Sequence, residues 1–292
     1  MGDGPHTGKV TLKKASADDF SSVYGLFLDF NDYKLSRDNW HQLFKSHWNY
    51  DEGYYGYILL EDDLPIGFLS TIFSQRMINN KYYRFCNLSS WIVKDGYRNR
   101  SLYLIQPLLK LKDYTITLLT PSEITQKVFA KLGYKELDSA KRILLPIPQF
   151  GKTLKNKLQI TFDPKIIKGL LNENELKIFQ DHAEFKCFHA MISSGAGHCY
   201  IVMRKFIKKQ LPFAYIHYVS NFEVFYQTID MLRISLAMKL RVIGIIIEER
   251  FVHDRNMRFS IKYPWVSMYK STDLEPKDID SLYSEYFLLD LP

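Results

Sequence analysis

The segment Asp95-Gly96-Tyr97-Arg98-Asn99-Arg100-Ser101 joins an apolar strand pattern to a helical one. Such a junction suits a phosphate. The first helical N–H groups have no intrahelical partner, and the helix dipole puts partial positive charge there. Arg98 and Arg100 add charge-assisted donors that fit phosphate oxygens. A second group of reactive residues, His182, Cys187, His189, His198 and Cys199, spans eighteen positions. Cys187-x-His189 and the adjacent His198-Cys199 are spaced more tightly than metal ligands usually are, and neighbours on a strand point to opposite faces. Core cysteines with surface or capping histidines explain this group better, and no metal is expected. A Cys187–His189 nucleophile–base pair fails on geometry, because residues two apart on the helix expected over 173–193 do not face each other. Ser193-Ser194-Gly195-Ala196-Gly197 follows a helix and precedes a strand, the reverse of a dinucleotide-binding loop, and reads as a hairpin turn. Glu248-Glu249 ends an apolar strand, where carboxylates can line a ligand crevice, and where capping and solvation explain them as well.

The elements that must position these residues alternate between strand and helix. Val10–Lys14 reads as a strand; Ser16 caps a helix carrying Phe20, Val23, Tyr24, Phe27 and Leu28; Arg37–Trp48 reads as another helix. Residues 57–60 and 66–73 make a hairpin around Glu61–Pro65, and Tyr82–Val93 is the next strand. Helix Leu102–Lys112, strand Thr115–Leu119 and helix Ile124–Leu132 follow, with Gly133 as helix terminator and Lys141–Ile147 as a last strand. Beyond the proline-punctuated stretch from Pro146, helices are expected over 164–171 and 173–193, then a hairpin of 199–204 with 213–219. Helix Phe222–Lys239, the buried strand Val242–Ile247 and an acidic amphipathic helix, Pro276–Leu289, complete the chain. Leu64-Pro65-Ile66-Gly67-Phe68-Leu69 is echoed by Leu211-Pro212-Phe213-Ala214-Tyr215-Ile216, which raises an internal duplication.

Composition bounds the rest. A chain of 292 residues with 46% hydrophobic content is comfortable as two globular domains. The net charge of +7 favours phosphorylated or polyanionic ligands at encounter, yet the basic residues are scattered in small knots (204–205, 208–209 and 152–157), which speaks against a nucleic-acid surface. Trp40, Trp48, Trp91 and Trp265 read as core or interface aromatics rather than base-stacking platforms. Three cysteines without zinc-like spacing fit a reduced compartment. The N-terminal stretch lacks a signal-peptide core, and His6 breaks the myristoylation pattern. The apolar run Val242–Ile247 is too short to span a bilayer, so a cytoplasmic location is expected.

Residues 88–137 resemble the GNAT acyl-CoA-dependent N-acetyltransferases. Tyr97-Arg98-Asn99-Arg100-Ser101-Leu102-Tyr103 stands where that family carries Tyr-Arg-Gly-x-Gly-x-Gly, and Phe129-Ala130-Lys131-Leu132-Gly133-Tyr134 stands at its Tyr-x-Lys-Leu-Gly-Phe segment. The order of elements from Val10 to Ile147 fits as well, whereas the second half is similar only in outline. The resemblance implies an α/β fold with a mixed (α+β) sheet in two tandem domains, the second truncated or divergent. A tail would cover 1–9, an acyl-CoA-binding domain 10–148, a linker 149–163 and a second domain 164–292.

It also implies acyl transfer from acetyl-CoA or another acyl-CoA to an amine, without a metal. The pantetheine would lie along Trp91, Ile92 and Val93, and the pyrophosphate over Arg98, Asn99, Arg100, Ser101, Leu102 and Tyr103. The acceptor would sit where the domains meet. Two departures bear on activity: the glycines are replaced at 99, 101 and 103, and the tyrosine that serves as general acid is Phe129. Loss of a general acid forfeits roughly 10²–10⁴ in rate. Ser122, Thr120 or a residue of the second domain are the candidate replacements; Asn87 and Ser90 are further catalytic candidates, and with Ser89 they lie beside the implied acyl groove. A catalytically retired binding protein, or a Fem-type aminoacyl transferase using aminoacyl-tRNA, are the alternatives.

Overall fold

The computed structural model describes residues 8–30, 35–48, 50–147, 159–252 and 257–291. Most of the expected tail, with His6, lies outside the described residues, as do positions 149–158 of the expected linker with their basic knot. The chain forms two compact units. One takes the residues up to 135 with 268–274 and 283–291; the other takes 136–267 with 275–282.

In the first unit, β1 (Val10–Lys14), β2 (Gly56–Glu61), β3 (Leu64–Ile78) and β4 (Lys81–Val93) are successive antiparallel neighbours. β5 (Tyr114–Leu118) then runs parallel to β4 and antiparallel to Met268–Lys270, the end of β12 (Ser260–Lys270). Helix α1 (Phe20–Phe27) and the short α2 (Arg37–His41) cover β3: Phe27 stacks on Trp40 at 4.5 Å and meets Phe68 edge-on at 5.5 Å. Helix α3 (Glu123–Lys131) follows β5, and Gly133 ends it in the left-handed region at φ +82°, as the sequence predicts.

The second unit is built from β6 (Lys135–Leu144), β7 (Gln159–Thr161), α4 (Pro164–Leu170), α5 (Glu173–Asp181), β8 (Phe188–Ser194), β9 (Gly197–Lys208), β10 (Leu211–Val219), α6 (Phe222–Leu240) and β11 (Gly244–Glu248). β7 to β10 are antiparallel neighbours, β10 and β11 are parallel, and β6 runs antiparallel to β11. The succession of pairing senses is that of the first unit. A parallel pair needs a crossover, and α6 supplies it here. Asn221 caps α6 by accepting from Val224 N at 3.2 Å, and Val224, Phe225, Ile229, Leu232 and Leu236 bury one face of it.

Several expected helices differ. Residues 95–104 and 106–110 form 3₁₀ turns instead of helix 102–112. Pro107 has no N–H for an α-type bond to Tyr103 and disfavours the α conformation at Gln106, while Asn99 and Ser101 are weak helix formers. The helix expected over 37–48 is limited to α2 and a 3₁₀ turn at 42–44. The helix expected over 173–193 stops at Asp181, and Phe188–Ser194 is drawn into β8 by its hairpin with β9. The expected strand 141–147 runs instead over 135–144, and β7 and β12 were not foreseen. The expected amphipathic helix 276–289 reduces to a 3₁₀ turn at 276–278 and α7 (Glu285–Leu288). Residues 281–289 are buried, so the segment has no solvated face. The Leu-Pro echo opens β3 in one unit and β10 in the other. These strands hold different ladder positions, because β10, like β4, is the one with a parallel neighbour.

Two consequences are measurable. A Cβ on Gly56 would lie 2.3 Å from the Leu69 carbonyl oxygen, with φ at +154°, so Gly56→Ala is expected to cost more than about 2 kcal/mol in urea unfolding. In the second unit, Arg142 donates to both Glu249 oxygens, at 2.9 and 2.5 Å. That hydrogen bonding is the main cause holding the Glu249 carboxyl below its ordinary value of 4.5. A depressed carboxylate contributes its stability above the unfolded pKa and loses it as pH falls through the folded one. Glu249→Gln is therefore expected to cost about 2 kcal/mol at neutral pH, and its deficit to shrink as pH falls below 4.5.

Candidate active site

β4 and β5 pair over only four positions, Arg84–Tyr114 to Asn87–Thr117. Beyond them β4 stays on β3, and β12 holds the other edge of β5 over Ile116–Leu118. The β3–β4 register shifts just past this point, where Ser90 takes φ +52°. This is a β-bulge, which re-aims the strand. A cleft of about 360 Å³ opens in the divergence. Ser89, Ser90 and Trp91 line it from β4, Leu118 and Thr120–Ser122 from the end of β5, and Thr125 and Phe129 from α3. Leu35, Trp40, Leu289 and Leu291 complete the wall.

The predicted residues fall into three groups. Ser90, Trp91, Thr120 and Ser122 line the cleft together with Ser89. Ser122 is also the N-cap of α3: its Oγ accepts from Thr125 N at 3.2 Å and lies 2.9 Å from Thr125 Oγ1. Phe129 is fully buried at the cleft wall, edge-on to Trp91 at 5.8 Å and to Tyr134 at 4.9 Å. The Tyr134 phenol is itself pushed up by burial and stays protonated.

Asn87 is the second case. It is 2% exposed and absorbed into a network: its Nδ2 donates to Glu285 Oε2, and its Oδ1 accepts from Thr117 Oγ1 at 3.0 Å. Glu285 Oε1 accepts in turn from Thr120 Oγ1 at 2.8 Å. Sequence reasoning missed Glu285, because it sits in a stretch that reads as a solvated acidic helix. The only signal was one carboxylate among Tyr283, Tyr286, Phe287 and Leu288.

The third group is the expected phosphate turn. With 3₁₀ geometry over 95–104, the α-helix N-terminus on which that expectation rested is absent. Arg98 pairs with Asp95 at 2.6 Å with both side chains well exposed, Arg100 and Ser101 are half-buried, and Asn99, Leu102 and Tyr103 are exposed. Ile92 and Val93 end β4 half-buried, and Val93 pairs with Gly67.

In the second unit, polar side chains gather around the β10–β11 pair. The β9–β10 register shifts at His217, a fully buried residue whose Nδ1 lies 2.8 Å from Ser281 Oγ. Glu248 accepts from Tyr215 OH at 2.5 Å and pairs with Arg250, while Lys141 Nζ lies 4.2 Å from the Tyr215 ring centre and 3.8 Å from that of Trp265. Glu248 and Glu249 are thus paired rather than solvated. Cys187 and His189 do meet, Sγ to Nε2 at 3.3 Å, because His189 lies on β8 and Cys187 in the loop before it rather than on a helix. Burial pushes the thiol up to about 12 and the imidazole down to about 4, so the pair is neutral and holds no thiolate. Among the described residues no group of three or more His, Cys, Asp or Glu is arranged to hold a metal ion, and no helix is long and apolar enough to cross a membrane.

Several solved structures share this fold. A GCN5-related N-acetyltransferase from Anabaena variabilis superposes with TM-score 0.58 at 11% identity, over 90% of this chain and 72% of that one. A probable N-acyltransferase from Enterococcus faecalis gives 0.57 at 14%, over 92% and 74%, and a putative acetyltransferase from Pyrococcus horikoshii gives 0.55 at 14%, over 95% of both. The chain has the GCN5-related N-acetyltransferase fold, a mixed α/β architecture around a large mixed sheet. At these identities the likeness is one of fold. No family model and no curated protein matches the sequence.

The double placement of Ser122, on the cleft and at the helix cap, separates by substitution. Ser122→Ala is expected to cost about 1 kcal/mol and Ser122→Asn to restore it in thermal unfolding.

Proposed function

We propose that the chain is an N-acyltransferase that uses the cleft at the β4–β5 divergence for acyl-CoA, acetyl-CoA first. The observation that carries this reading is an open, hydroxyl-lined cleft at the point where a parallel strand pair stops pairing. There the edge of β4 has lost its neighbour and offers backbone groups to a ligand. The thioester lies along Ser89–Trp91, the pantetheine follows Trp91–Val93, and the pyrophosphate reaches Arg98–Tyr103. A deprotonated amine attacks the carbonyl, a β4 N–H steadies the oxyanion, and the C–S bond breaks. With Phe129 in place of a phenol, the cleft hydroxyls of Thr120, Ser122 and Ser90 are the groups that handle protons. The shared succession of pairing senses supports reading the two units as tandem copies, of which the first keeps an open cleft. Three free thiols, Cys86, Cys187 and Cys199, suit a reducing cytoplasmic setting.

A second reading, an acyl-CoA-binding protein without turnover, is favoured by the buried Phe129 and by the 3₁₀ geometry of the phosphate turn. Thermal shift decides between them. Acetyl-CoA at a hundredfold excess over its Kd is expected to stabilise the protein by about 2.7 kcal/mol. Filling the cleft with Thr125→Trp, or removing charge with Arg98→Ala plus Arg100→Ala, is expected to abolish that gain. No shift with acetyl-CoA, longer acyl-CoAs or free CoA sinks the proposal. Binding without transfer to any of a panel of amines leaves the second reading.

A further inference from the structure

We infer that the cleft takes its acceptor as a hydrogen-bond donor, an amine whose N–H or N⁺–H is received by Thr120 Oγ1, and that Glu285 is the positioning residue that makes Thr120 an acceptor. The transfer step rests on the N-acyltransferase reading; amine binding does not.

A threonine hydroxyl has one proton and two lone pairs, and its rotation normally leaves it able to donate or accept. Thr120 is exposed on the cleft wall, and its proton is committed to Glu285 Oε1 at 2.8 Å. Only lone pairs remain for a ligand. The commitment is held from behind. Glu285 is 0% exposed, and its other oxygen accepts from Asn87 Nδ2. Asn87 cannot turn its carbonyl toward Glu285 without cost, because Oδ1 already accepts from Thr117 Oγ1 at 3.0 Å. Both Glu285 oxygens therefore act as acceptors at this site.

Asn87 and Thr117 are the last paired positions of β4 and β5, and Thr120 lies just past them. One carboxylate thus ties both sides of the divergence and fixes the hydroxyl at its mouth. A carboxylate or carbonyl ligand would meet lone pairs at Thr120 and leave them unsatisfied.

In transfer, the amine nitrogen forms the C–N bond as the thioester C–S bond breaks. The amine proton passes to Thr120 Oγ1 while the Thr120 proton passes to Glu285. The same path returned delivers a proton to the departing thiolate. Amide and free thiol result, with both side chains restored.

The test uses the full chain with n-butylamine, n-butanol and butyrate as probes, followed by calorimetry or NMR titration without CoA. Wild type is expected to bind butylamine in preference to butyrate. Thr120→Val, isosteric and on an exposed wall, is expected to lose at least about tenfold in affinity, and Thr120→Ser to recover it. Glu285→Gln places an amide that can donate to Thr120 Oγ1 and free the Thr120 proton, so it is expected to narrow or reverse the preference of butylamine over butyrate, a change that a purely structural role would not produce. No butylamine binding, equal affinity in Thr120→Val, tighter binding of butyrate by wild type, or an unaltered preference in Glu285→Gln each overturns the inference. Acetyl-CoA thermal shift on the same samples keeps the two claims apart: a CoA shift without Thr120-dependent amine binding sinks this inference alone, and amine binding without a CoA shift sinks the acyl-CoA reading alone.

Discussion

Four residue pairs hold β4 to β5, and everything that makes the first unit a site begins where that pairing stops. Parallel strands that separate leave unpaired backbone groups on facing edges, which must find other partners or be left to a ligand. Here the bulge at Ser90 turns β4 away, while β12 pairs with the opposite edge of β5. The divergence is braced at its root by the Glu285 carboxylate, which takes one hydrogen bond from Asn87 and one from Thr120. An unpaired carboxylate at that depth would be costly, so the brace exists only because β4, the end of β5 and a late segment of the chain converge.

The second unit repeats the pairing senses and gathers buried polar groups around its β10–β11 pair. His217 meets Ser281, Glu248 meets Tyr215 and Arg250, and Lys141 lies against the Tyr215 and Trp265 rings. Burial, with Arg204 and Lys141 nearby, holds His217 well below its ordinary pKa, so it acts there as a neutral hydrogen-bonding group.

Much of the first unit is legible in the sequence because it rests on local rules. The β2–β3 hairpin, the long β4, the short buried β5 and the helix ended by Gly133 follow from alternation, helical period and turn chemistry. The cleft residues Ser90, Trp91, Thr120 and Ser122 follow from their places at the ends of those elements. The misreadings share a cause. Residues 188–194 satisfy a helical as well as a strand period, and only the ladder with β9 decides. Residues 102–112 have helical spacing, but Pro107 and the polar residues before it favour 3₁₀ turns.

By itself, the sequence determined the β2–β3 hairpin, β4, β5 and the helix ended by Gly133, the Lys131-Leu132-Gly133-Tyr134 motif and the absence of a phenol at position 129, since these depend on residue identity and short spacing. Tertiary structure alone decided that Cys187 meets His189, that Asn87 is spent on an internal network and that Glu285 lies buried behind Thr120. Each of the last two turns on an approach between residues more than 160 positions apart, and no local period encodes that.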